Sequence, residues 1–350
     1  MHTKSIPVLL SMFGLVLLLS LSIISCGSAY RQDTVEFMKD LDQPEDNPLS
    51  LEEFALHQAA ELGNFPVVQD LVDHQVNVNA VDQYAWTALH FATREGYDTI
   101  ASFLIDRGAD FTIAGETSVG GDFAGYWTPV HLAAWNGRLQ IFKLLTSLGA
   151  DLSARVWIDY GSTPLHLAAE KGYYEIVQEL INQGVEVDSR NEYAETPLHL
   201  SCFEGYYVTS QELINAGVNV NVQDDLGYAP LHDACEFNFY DLADMLIRYG
   251  AEVNISNHDG LTPLHLAASE GNVDIMRLLL DSGADINQAD GQGQTPLHLA
   301  VIMFDIDGVE FLVSQGADLN IQDNEGKTPY DIAEEYGYKE ITNILMFNSM

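Results

Sequence analysis

A histidine recurs along this chain at an almost fixed step. His57, His90, His131, His166, His199, His232, His265 and His298 stand 33, 41, 35, 33, 33, 33 and 33 residues apart. One further step of 33 reaches Asp331, inside an otherwise matching segment. Such a period dictates a stacked array, because each short segment buries its apolar side only against a neighbouring copy. Residues 259–287, DGLTPLHLAASEGNVDIMRLLLDSGADIN, show how one repeat is built. Asp259-Gly260 is a turn signal. Thr262 predicts a helix N-cap, and Pro263 suits N1, where its missing N–H leaves nothing unpaired. Leu264, Leu266, Ala267 and Ala268 form a short helix that Gly271 stops. A second helix is predicted from Val273 to Ser282, with Ile275, Leu278 and Leu279 at core spacing. Gly283 ends it, and residues 284–287 run on into the next hairpin.

The tetrapeptides Thr163-Pro164-Leu165-His166, Thr196-Pro197-Leu198-His199, Thr262-Pro263-Leu264-His265 and Thr295-Pro296-Leu297-His298, with the closing Gly-Ala-Asp at 108–110, 149–151, 283–285 and 316–318, resemble the ankyrin repeat. The resemblance covers residues 51–350 in about nine repeats. It implies an all-α ankyrin-repeat solenoid of helix-turn-helix repeats with short β-hairpin fingers. It also implies a protein-binding role, and a histidine that hydrogen-bonds within its own turn and to its neighbour. The edges depart from the pattern, as terminal repeats that face water should. The first has Phe54-Ala55-Leu56-His57 without Thr-Pro, and the last has Thr328-Pro329-Tyr330-Asp331. Asn238 and Phe304 replace the helix-stopping glycine; Asn tolerates positive φ, whereas Phe strains there.

Residues 1–25 have the layout of an export signal: Lys4, then an apolar run from Ile6 to Ile24. Ile23-Ile24-Ser25-Cys26 resembles the lipobox of bacterial lipoproteins, which implies lipidation of Cys26. By the same resemblance, Gly27 fits an outer-membrane address. Another reading keeps residues 6–24 as an uncleaved membrane anchor. Either way the remainder is exported. Residues 26–50 are acidic, carry Pro44 and Pro48, and predict a lipidated tether ahead of a repeat domain at 51–350; Val35, Phe37, Met38 and Leu41 suit at most a helical turn.

The chain carries 52 acidic and 14 basic residues, a formal charge of −38. Such a polyanion repels phosphate backbones, so nucleic acid is not an expected partner, and membrane contact is expected only through the N-terminal anchor. The compatible partner is another protein, a basic one in one reading; a monomer is the expected state. The same charge serves equally as a solvated surface. Neighbouring register histidines should lie ~10 Å apart, a sheet-packing distance, too far to share the ~2 Å bonds of a zinc shell. No metal, cofactor or catalytic residue is expected. Asp290-Gly291-Gln292-Gly293 and Asp224-Asp225 have calcium-loop composition without the ligand series, and read as hairpin turns. Cys202 and Cys235 hold the same inner-helix place in adjacent repeats. A disulfide needs Cα atoms within ~7 Å, so two buried free thiols are expected.

The place before the Thr position, and the place four residues after the histidine, are expected to face solvent. Trp86, Trp127 and Tyr228 fall on the first row, Trp135 and Phe203 on the second, and Phe237 beside it. Trp157 lies in a finger lengthened by two residues, and the preceding finger, residues 111–126, is longer by eight and glycine-rich. Exposed aromatics of this kind concentrate binding energy, so Trp86, Trp127, Trp135 and Trp157, extended by Phe203, Tyr228 and Phe237, are the candidate partner site. The competing reading folds the long fingers back so that these rings pack on each other. Tyr173-Tyr174, Tyr206-Tyr207 and Phe239-Tyr240 recur at the turn between helices and are read as packing between repeats.

Overall fold

The computed structural model describes residues 30–41, 43, 47–117, 125–156 and 160–348. The export signal, Cys26, Trp157 and the tip of the long finger lie outside the described residues. The chain forms two compact units, Met1–Asp159 and Tyr160–Met350.

In the first, α1 (Gln32–Lys39) precedes three helix pairs: α2 (Leu51–Glu61) with α3 (Phe65–Asp73), α4 (Ala88–Glu95) with α5 (Asp98–Asp106), and α6 (Pro129–Trp135) with α7 (Leu139–Ser147). Between α5 and α6, β1 (Gly115–Thr117) pairs antiparallel with β2 (Gly125–Trp127), Glu116 opposite Tyr126. The second unit holds six pairs: α8 (Pro164–Glu170) and α9 (Tyr174–Asn182), α10 (Pro197–Phe203) and α11 (Tyr207–Asn215), α12 (Pro230–Glu236) and α13 (Tyr240–Arg248), α14 (Pro263–Ser269) and α15 (Val273–Asp281), α16 (Pro296–Ile302) and α17 (Ile306–Ser314), α18 (Pro329–Tyr336) and α19 (Lys339–Asn348). Within each unit, the first helix of a pair packs on the first helix of the next.

The recurring threonine and histidine fasten this stack. Thr196 N–H and Oγ1–H both reach His199 Nδ1, at 3.1 and 2.8 Å, which closes a capping box. Nδ1 therefore accepts, and the proton sits on Nε2, which donates to Tyr228 O of the next repeat at 3.2 Å. The bond to the following repeat recurs from His90 to Trp127 O, His131 to Ala154 O, His232 to Leu261 O, His265 to Gln294 O and His298 to Lys327 O, at 3.0–3.2 Å. In the first repeat, which has no Thr, His57 keeps the outgoing bond to Ala80 O while its buried Nδ1 has no partner among the described residues. In the last, Asp331 accepts from Thr328 N–H and Oγ1–H at 2.9 and 2.7 Å. A carboxylate caps as well as imidazole but donates nothing onward.

A second ladder runs through asparagines. Asn254 Nδ2 donates to Gly283 O at 3.1 Å while its Oδ1 accepts Asp285 N–H at 2.8 Å; Asn79 and Asn221 do the same, and Asn287 accepts from Asp318 N–H. The tyrosine series adds a third contact. A Cβ at Gly172 would lie 2.8 Å from the Tyr206 ring, and one at Gly205 would lie 2.6 Å from Phe239. These glycines take φ of +74° and +76° and leave room for the ring of the next repeat.

In the repeat at 259–287, Ile275 and Leu279 are buried, but Met276 takes the core place expected of Leu278, which is half-buried. Phe304 adopts φ +58° despite its side chain and rests on Tyr338, ring centroids 4.6 Å apart. Residues 32–39, within the segment whose composition suggests a tether, form α1. Its Thr34 and Met38 are buried, Arg31 N–H donates to Asp70 Oδ2 at 2.6 Å, and Tyr30 lies on His74 at 4.3 Å. The helix covers the apolar side that the first repeat turns away from its neighbour.

Candidate functional site

The row before the Thr position is more enclosed than sequence spacing suggests. Its carbonyls accept from the preceding histidines at Trp127, Tyr228, Leu261, Gln294 and Lys327, which draws the backbone into the stack. Trp86 and Trp127 are only 7% and 6% exposed, against the expectation that they face solvent. The long finger accounts for Trp86: its Nε1 donates to Glu116 O at 2.9 Å, and Gly115 lies against the ring so closely that a Cβ would come within 2.5 Å. Trp127 lies edge-on to the half-buried Trp135, centroids 5.6 Å apart. Arg94, on the second row, sits 5.4 Å over Trp86 and pairs with Glu61 and Glu95 at 2.6 Å. In the first compact unit Trp86 packs on Phe91 and the finger, and Trp127 packs on Trp135.

The second unit presents its aromatics outward. Phe203, the last residue of α10, and Phe237, the C-cap just past α12, are 52% and 41% exposed and meet edge-on at 4.8 Å. Tyr228 is half-buried beside His232. Met303 and, at a finger turn, Leu226 are also exposed. Phe203, Phe237 and Tyr228 therefore lie in one region; Trp86, beneath the long finger, and the Trp127–Trp135 pair belong to the first unit.

Negative charge gathers at Asp233, four residues before Phe237. Asp233 follows the register histidine, where Leu132, Leu167, Leu200, Leu266 and Leu299 stand in other repeats. It is 8% exposed, and its carboxyl is held well above the usual range by burial first and then by the negative charges of Asp224, Glu236 and Glu195. Burial also raises Glu195 and Glu236. Asp233 escapes a search for motifs because it lies inside a matching repeat; comparing the residue after each histidine exposes it. The asparagine ladder escapes likewise, although Asn221, Asn254 and Asn287 keep the step of 33.

The calcium-like segments are turns. Asp224 Oδ1 accepts the N–H of Leu226 and Tyr228, both at 2.8 Å, and Asp290 Oδ1 accepts those of Gln292 and Gln294. Among the described residues no group of three or more His, Cys, Asp or Glu is placed to hold a metal. Cys202 and Cys235 are free and fully buried, and burial pushes both thiols far up, out of reach of thiolate chemistry. A cleft of ≈270 Å³ between the last two repeats is lined by Gln294, Ile302, Lys327, Ile332, Glu335 and Tyr336. Lys327 there is paired with Glu335 at 2.7 Å and Glu325 at 3.0 Å.

A family model for ankyrin repeats in three copies matches residues 23–114, 119–191, 165–257, 231–323 and 292–350. The chain belongs to the ankyrin-repeat family, whose arrays serve as protein-interaction scaffolds. Among curated proteins it is similar to protein phosphatase 1 regulatory subunit 27 of Homo sapiens, 43% identical over 56 residues, 16% of this chain and 36% of that protein. It is also similar to the RelA-associated inhibitor of Mus musculus, 35% identical over 78 residues, 22% of this chain and 9% of that protein. The probable 26S proteasome regulatory subunit p28 of Saccharomyces cerevisiae is 31% identical over 105 residues, 29% of this chain and 42% of that protein. The chain thus spans about a third of the length of the phosphatase subunit it matches.

Proposed function

We propose that this protein is a non-enzymatic scaffold, exported to the cell envelope and held there by lipid on Cys26, that grips a partner protein through the second compact unit. Phe203, Phe237 and Tyr228 are the anchors of that grip. The observation that carries the reading is the exposed Phe203–Phe237 pair, two large rings on adjacent repeats. Rigid aromatics on a preorganised scaffold give contact area at little entropic cost. Trp86 and Trp127 act at one remove, by fixing the long finger. Affinity capture from envelope extracts tests this. Phe203→Ala with Phe237→Ala should melt within a few degrees of wild type and fail to retain the protein that wild type retains; equal retention refutes the site.

The envelope address rests on the N-terminal sequence. Metabolic labelling with a fatty acid should mark the wild-type chain and leave Cys26→Ser unmarked. Label in neither chain, with the protein still sedimenting with membranes, favours the uncleaved anchor. A second reading, an inhibitor or immunity protein that masks a basic toxin or enzyme, draws on the charge of −38. Two of the relatives are by name a regulatory subunit and an inhibitor. Capture that collapses as salt rises supports masking of a basic partner; salt-insensitive capture supports the aromatic grip.

A further inference from the structure

Asp233 occupies a leucine place and gains nothing from its own chain. Burial and three carboxylates act on it, and no hydrogen bond, lysine or arginine relieves it among the described residues. A buried ionisable group without a partner is costly, and a leucine there would pack without penalty. The residues around it are not random. Glu236 and Phe237 follow at three and four positions, so they share one helical face with Asp233. Phe203 of the preceding repeat closes on Phe237. Glu195 and Asp224 bring further negative charge from the finger side.

We propose that Asp233 is the anchoring carboxylate of a receptor for a basic side chain of the partner, with Phe203 and Phe237 as its aromatic wall. The inference rests on the binding face proposed above and names the chemistry that face selects. A guanidinium supplies each missing element: positive charge among four carboxylates, planar donors for a carboxylate, and a flat face that stacks on rings. An ammonium supplies the charge alone, so arginine is favoured over lysine. The acidic cluster by itself would be only a solvated surface; the buried Asp233, four residues before the exposed Phe237 on the same helical face, ties it to the aromatic pair.

Selection of a phage-displayed random peptide library on the full chain tests the proposal. Wild type should enrich peptides with an arginine at a fixed place beside apolar residues. Those peptides should bind Asp233→Leu at least about tenfold more weakly. Asp233→Leu installs the side chain that five other repeats carry, so its melting temperature should equal or exceed that of wild type. Asp233→Asn, which keeps the shape and removes the charge, should lose the peptides too. Peptides lacking any basic residue, or peptides held equally by both variants, overturn the inference while the aromatic binding face stands. Failure of wild type to enrich any sequence counts against both.

Discussion

Asn238 and Asp233, five residues apart, show how one side chain sets the energy of a repeat. Asn238 takes φ +60° at the turn between α12 and α13, where every other repeat but that of Phe304 places glycine. Asn238→Gly should stabilise by up to about 1 kcal/mol and Asn238→Ala should destabilise by a similar amount, both read from urea midpoints. Asp233→Leu should raise stability by about 1–3 kcal/mol, because an enclosed carboxyl is exchanged for a packed side chain. A loss of stability would mean that Asp233 has an internal partner. Where threonine precedes it, the histidine accepts at Nδ1 and donates from Nε2, a role that a neutral ring fills and a doubly protonated ring cannot; His232, behind Ala229, accepts the backbone N–H alone. Asp331 caps its own helix through Thr328 and, as a carboxylate, has no proton to pass on.

At the scale of elements, the long finger and the rings beneath it form one packed piece. Trp86→Ala should cost about 3–5 kcal/mol, as for a large buried ring, and loosen β1 and β2. Phe203→Ala should cost well under about 1 kcal/mol, because its ring is half in solvent. Chemical denaturation of the two variants separates a structural ring from a presented one. Here the sequence was only partly legible. The helix pairs, their caps and the register histidines follow from Thr-Pro at N-cap and N1 and from the step of 33. The exposure of each tryptophan does not, because it depends on where a finger of variable length folds back. Trp86 shows this: what covers it is Glu116 and Gly115, thirty and twenty-nine residues away. The helix at 32–39 was legible only as a weak apolar cluster, since the contacts just before it, Arg31 to Asp70 and Tyr30 to His74, reach into the first repeat.

For the molecule as a whole, seven register histidines whose pKa burial lowers make acid the natural denaturant. Burial lowers the pKa of each of His57, His90, His131, His199, His232, His265 and His298, and places His90, His199 and His232 at about 4. The unfolded chain takes up these protons near pH 6.5, so it binds more protons than the folded chain between about 6.5 and about 4. The stabilisation is present above that window and is lost as pH falls through it. Each of the three most shifted rings contributes up to about 3 kcal/mol, at about 1.4 kcal/mol per pKa unit. Asp233, Glu195 and Glu236 act in the opposite sense, since their folded pKa values are raised, and three groups do not offset seven. Urea midpoints should therefore fall between about pH 7 and about pH 4.5, and His199→Gln should flatten the fall.

Recognition of another protein by the aromatic face of the second unit is the claim on which the functional account turns. A photo-crosslinking amino acid placed at Phe203 or Phe237, and as a control at Tyr174 on a second helix, tests it in living cells. Irradiation should join the first two positions to one and the same partner band and leave Tyr174 unjoined. Adducts of equal strength at all three positions, or at Tyr174 alone, would contradict the account.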